Sequence, residues 1–213
     1  MITNSLVPMV LENEGNGERS YDLLSKMLKD RIIFLQGEVT DASANLIVSE
    51  LLYLESVNPT APIYLYINSP GGSVTAGLAI KDTMDFISCP VYTIGMGMCA
   101  SMGAFLLASG EYGHRIVLKN TTVMIHQVLG GCKGQVTDMQ ISLEYSTRLK
   151  NLLNHYLSEY THGIKNEKEM HDLCERDNYL KAETALEYGL IDQVVNSRKE
   201  LKEVATNEEE NSL

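Results

Sequence analysis

Apolar and polar positions alternate along this chain in two rhythms. Between Arg31 and Gly95, the β-branched and aromatic runs RIIFL, IYLYIN and VYTIG are separated by stretches with helical apolar spacing, from about Ser43 to Glu55 and from Ala76 to Ile87. Such strand–helix alternation predicts parallel strands joined by right-handed crossovers, with helices covering the sheet, and hence an α/β fold. Within IYLYIN, Tyr64 and Tyr66 fall on the face opposite Ile63, Leu65 and Ile67. Parallel sheets ordinarily bury both faces.

The longest helix is expected to start at Thr137, where Thr137 and Gln140 have capping-box spacing, and its stripe is Leu149, Leu152, Leu153, Tyr156 and Tyr160. A stripe this long calls for a partner surface. Past Asn166 the pattern predicts a short charged helix, the run NYL, a helix over Ala182–Tyr188 stopped by Gly189, and a strand-like IDQVV. The first twenty residues, rich in Asn, Glu and Gly, read as a mobile arm (1–20), and residues 196–213 as a charged, frayed tail. Residues 21–195 are then a single domain.

Composition narrows the function. Seventeen Lys and Arg against 28 Asp and Glu leave a net charge of −11 in 213 residues, which repels phosphate backbones and anionic membranes, so nucleic acid is not an expected partner. No apolar run approaches the roughly 20 residues of a membrane span, and MITNSLVPMV lacks a signal-peptide pattern, so a cytoplasmic protein is expected. Cys89, Cys99, Cys132 and Cys174 form no C-x-x-C, which suggests neither a disulfide framework nor a zinc site.

Two segments can carry chemistry. SPGGS (Ser69–Ser73) follows a strand and opens a helix, which makes it either a tight turn that needs glycine or an anion site of free amides; G-x-x-x-x-G-K-[ST] and G-x-G-x-x-G are absent, which disfavours a nucleotide. GMGMCASMGAFLLASG places Ser101 among small residues where a strand turns into an apolar helix, the setting of a nucleophilic serine as well as of an ordinary helix-start serine. Of five histidines, only His126 ends an apolar strand, TTVMI, ahead of Gly130–Gly131. His114, His155, His162 and His171 lack such a setting. Asp177 is one of the 28 carboxylates that could orient His126, and the residues alone do not choose among them.

INSPGGSVTAG, GMCASMGAFLLASG, MIHQ, GQVTD and ERDNYL followed by ALEYGLID occur here in that order. With LVPMV, RIIFLQGEV and YLYINSPGG, they make the chain resemble the ClpP family, the serine peptidase subunits of the ATP-dependent Clp protease, up to about Val195. The resemblance implies a crotonase-like fold of repeated β-α-β units with a protruding long helix, the handle, at about 128–162. It implies Ser101 as nucleophile, His126 as general base, Asp177 as the orienting carboxylate, and the amides of Gly72 and Met102 as the oxyanion hole, with no metal or cofactor. It further implies two stacked seven-membered rings, alone or mixed with a paralogue, whose chamber receives unfolded polypeptides from an AAA+ unfoldase of the ClpX, ClpA or ClpC type. The unfoldase would dock on Tyr64, Tyr66, Phe86 and Ile116. Val128 stands where family members carry proline, and Cys132 and Lys133 are unusual in the handle. Two other functions are weighed against this one: a ClpP-like paralogue acting mainly as a structural ring component, and an acyl-CoA enzyme of the crotonase class.

Overall fold

The computed structural model describes residues 7–13, 18–197 and 200. Strands β1 (Met9–Asn13) and β2 (Glu18–Asp22) pair antiparallel and lead into α1 (Leu23–Lys29), whose N-cap Asp22 accepts the Ser25 amide. Residues 9–13 and 18–20 of the segment expected to be an arm are thus paired in a β-ribbon. Residues 1–6 and 14–17 of that arm, and 198–199 and 201–213 of the tail, lie outside the described residues.

The chain continues through β3 (Ile32–Gln36), α2 (Asp41–Val57), β4 (Ile63–Ser69), α3 (Val74–Phe86), β5 (Val91–Ala100) and α4 (Met102–Ala108). It then runs through β6 (Arg115–Leu118), β7 (Thr122–Ile125), α5 (Val136–Tyr160), α6 (Glu167–Leu173), β8 (Asn178–Lys181), α7 (Ala182–Glu187) and β9 (Gln193–Val195). Strands β3, β4, β5, β6 and β9 lie side by side in that order and are parallel. The sheet is nevertheless mixed, because NYL returns as β8 and pairs antiparallel with β7.

The ten-residue β5 serves two neighbours. Thr93–Gly95 pair with β6, whereas Met98–Ala100 pair with β7, after a register irregularity between Ile67 and Ser69 on the β4 side. The strand thereby bends out of the main sheet and delivers its last residue, Ala100, to the edge where Ser101 begins a helix.

One sheet face carries the core. Ile33, Leu35, Ile63, Leu65 and Ile67 are fully buried in one cluster with Ile47 and Leu51 of α2, Ile80 of α3 and every residue of α4 except Gly103. The opposite face is not fully covered, contrary to the expectation from parallel sheets. Phe34 and Tyr66 are half-buried, and Tyr64 is exposed and packs edge-on against Tyr92. The register aligns Tyr66 with Ile94 and Ile94 with Ile116. Tyr64, Tyr66 and the exposed Phe86 are accessible, whereas Ile116 is buried beneath that face.

Helix α5 begins at Val136 with Gln135 as N-cap and without a side-chain cap bond. The expected Thr137–Gln140 box does not form, because Thr137 is already helical and an N-cap needs non-helical backbone. Leu149 and Leu157 are buried and Leu153, Tyr156 and Tyr160 pack on the core, whereas Leu152 does not belong to that packing. Earlier on the helix, Val136, Ile141, Leu143 and Tyr145 are exposed. The C-terminal end is anchored by Arg115, 2% exposed on its side chain, which pairs with Asp192 and donates through Nη1 to the Tyr160 carbonyl at 2.6 Å. Among the described residues no helix is long and apolar enough to cross a membrane.

Candidate active site

Ser101 sits at the junction of β5 and α4 with φ 53° and ψ −120°. A non-glycine residue in this region is strained, and such strain persists only where the surroundings over-determine it. Here the Ser101 amide donates to the Met124 carbonyl at 2.8 Å, and its own carbonyl accepts the Phe105 amide at 3.0 Å. The sharp strand-to-helix turn presents the hydroxyl into a cleft.

β7 aligns beside the end of β5, so the residue following it, His126, arrives next to Ser101. His126 Nε2 lies 2.9 Å from Ser101 Oγ, and Nδ1 lies 2.9 Å from Asp177 Oδ1. With the ring proton on Nδ1, the imidazole donates to the carboxylate, and Nε2 accepts from the serine hydroxyl. The antiparallel β7–β8 ladder ends at Ile125 opposite Asn178, which sets His126 and Asp177 against each other one step further on. The His126 side chain is 11% exposed and that of Asp177 59%, so the acid orients the base from the solvent side.

The SPGG segment packs on the serine from the other side. A Cβ added at Gly71 (φ +92°) would lie 2.6 Å from Ser101 Cβ, and one at Gly72 (φ +150°) would lie 2.2 Å from the Val39 carbonyl oxygen. Both positions therefore require glycine, for conformation and for space. Val39 holds the segment, donating its amide to the Gly71 carbonyl and accepting that of Ser73, each at 2.8 Å. Gly72 and Met102 line the same cleft as Ser101 and His126.

That cleft has a volume of about 210 Å³. Its apolar walls include Phe105, Ile125, Leu153 and Leu157, and Gln127, Lys150 and Asn154 add polar groups. The sequence reading did not identify these α5 residues as site residues; their 150, 153, 154, 157 spacing marks one helix face but not what it faces. Cys99, two residues before the serine, is not a rival nucleophile: burial pushes its thiol up to about 12.

A serine, an imidazole and a carboxylate linked in this order beside glycine-backed amides can carry out acyl transfer. Comparison with protein-family models matches residues 15–198 to Clp protease. That span holds the whole parallel sheet, the strained serine turn, and the ends of β7 and β8 that set His126 and Asp177. The chain therefore belongs to the Clp protease family and is a ClpP-type protein.

Proposed function

We propose that this chain is a serine endopeptidase that cleaves unfolded polypeptides. The observation that carries this reading is the continuous hydrogen-bonded line Asp177–His126–Ser101, with both links at 2.9 Å. Ser101 Oγ attacks the scissile carbonyl carbon while His126 Nε2 takes its proton, and the amides of Gly72 and Met102 hold the resulting oxyanion. His126 then protonates the leaving amine, which departs and leaves an acyl ester on Ser101. A water, deprotonated by His126, attacks the ester, and the acid product leaves as the proton returns to the serine. Asp177 keeps the imidazole in the required tautomer and stabilises the imidazolium. The cleft, walled by Phe105, Leu153 and Leu157, receives a substrate side chain and places the carbonyl over the nucleophile.

The assembly is part of the proposal. The long α5 is the handle, and its exposed Val136, Ile141, Leu143 and Tyr145 supply the apolar surface by which two seven-membered rings stack and enclose the sites. The β1–β2 ribbon belongs to the arm that gates the axial pore. An AAA+ unfoldase docks on the uncovered aromatic face around Tyr64, Tyr66 and Phe86 and feeds substrate into a cytoplasmic particle. A purely structural ring component would not need the strained Ser101 turn or its aligned partners, and an acyl-CoA enzyme of the crotonase class would not need a serine–histidine link.

Purified full-length protein should hydrolyse a short fluorogenic peptide, and Ser101→Ala should remove that activity while the native mass of the particle stays the same. Unchanged turnover in Ser101→Ala would refute the assignment. Asp177→Asn should cost about 10⁴ in kcat, the loss typical when the orienting carboxylate of such a triad is neutralised. A near-normal rate there would move the role to another carboxylate.

A further inference from the structure

The Asp177 carboxylate is more than half exposed, yet the reaction needs it fixed on His126 Nδ1. The β7–β8 ladder stops at Ile125–Asn178, so strand pairing does not itself hold the His126–Asp177 step. What spans the gap is a set of side-chain bonds centred on Glu175, two residues before Asp177. Gln127, directly after His126, donates its Nε2 to the Glu175 carbonyl at 2.8 Å and to Glu175 Oε1 at 3.3 Å. Lys150, on α5, donates Nζ to Glu175 Oε2 at 2.9 Å. One residue thus ties together the strand end that carries the base, the loop that carries the acid, and the helix that walls the cleft.

We infer that Glu175 is a positioning residue, clamped by Lys150 and Gln127, that holds the Asp177 loop in register with His126. It touches neither substrate nor reacting atoms and acts through Asp177. Its carboxylate is suited to this: Lys150, by hydrogen bond and by charge, keeps the Glu175 carboxyl below the usual carboxylate range. The inference rests on the serine-peptidase reading above. It adds a dependence of the acid's placement on the position of α5.

The test is a mutant cycle on the full-length protein, reading kcat, KM and native mass. Glu175→Ala should lower kcat about 10- to 100-fold, the scale of a misplacement of about 1 Å in a catalytic group. KM should change little. In an Asp177→Asn background, the same substitution should have no further effect, because its only route to the reaction is already cut. Lys150→Met removes the clamp from outside the loop and goes through the same cycle, so misfolding of Glu175→Ala leaves the test standing. Lys150→Arg, which can make the same single charged bond, should restore most of the rate. Wild-type kcat in both clamp variants, or a full additional loss in the Asp177→Asn background, would overturn the inference. A drop in native mass that parallels the lost activity would also overturn it, assigning the pair to assembly. If Asp177→Asn alone keeps its rate, the serine-peptidase reading itself fails, and that result is distinguishable from failure of the clamp.

Discussion

Replacing Gly71 by alanine puts a methyl group where the structure has the nucleophile. The added Cβ would stand 2.6 Å from Ser101 Cβ, 2.8 Å from the Ala100 carbonyl oxygen and 3.0 Å from the Met102 amide nitrogen. Carbon atoms sit comfortably at about 3.5 Å, so Ser101 or the loop must yield by roughly 0.9 Å. Neither yields easily, since the serine turn is already strained and is fixed by backbone bonds to Met124 and Phe105. A displacement of that size at a catalytic group costs about 10² in rate. The positive φ of Gly71 adds a separate penalty of roughly 1–2 kcal/mol in stability. Gly113→Ala separates the two effects. Its φ is +87°, but its added Cβ has nothing within 4 Å, so it carries the conformational penalty alone. Thermal unfolding, kcat on a short peptide and the labelling rate of Ser101 by a fluorophosphonate should be measured for both. Both variants should melt lower than wild type, and only Gly71→Ala should lose about 10² in kcat and in labelling rate. Gly71→Ala with kcat within about threefold of wild type would refute the claimed packing of the SPGG segment on the serine.

Asp192→Ala should destabilise the fold by about 3–5 kcal/mol in denaturant titration, because it strands the buried Arg115 guanidinium; a loss below about 1 kcal/mol would show that the pair is not a stabilising link between β6 and the turn before β9. His155 lies between Glu167 and Glu159, and its hydrogen bond to Glu167, followed by the Glu159 charge, raises its pKa above the ordinary value of about 6.5. A raised folded-state pKa contributes stability that is fully present below the unfolded value and is lost as pH rises through the folded one. The stability advantage of wild type over His155→Gln should therefore be seen below about pH 6.5 and vanish at higher pH; the opposite trend would contradict the α5–α6 contact. Tyr66→Ala should keep short-peptide hydrolysis and lose unfoldase-dependent degradation, since an aromatic anchor is worth about 2 kcal/mol or more. Parallel loss of both activities would make Tyr66 a core residue.

The alternation of RIIFL, IYLYIN and VYTIG with helical stretches carried the parallel sheet in the sequence, because each run is short, β-branched and bounded by turn residues. What the pattern could not carry was anything decided by partners distant in sequence. The antiparallel direction of β8 depends on which edge of β7 is free, and NYL alone does not encode it. The start of α5 was misplaced because Thr137 has capping chemistry while the backbone turns extended at Gln135. His126 stood out by its place at a strand end, whereas the small-residue turn at Ser101 fitted an ordinary helix start as well, and its role came from the family resemblance. Asp177 could not be chosen among the acidic residues from local setting, since its role follows from one register step beyond Ile125–Asn178. The cleft walls on α5 and the Glu175 clamp were illegible for the same reason, each being a contact between segments tens of residues apart.

The most direct measurement is the site of covalent modification. Full-length protein treated with a fluorophosphonate should gain one adduct per chain, mapped by peptide mass spectrometry to Ser101, with none in Ser101→Ala and much slower labelling in His126→Ala. An adduct that persists in Ser101→Ala, or that maps to Cys99, would contradict the assignment of Ser101 as the nucleophile of a serine peptidase.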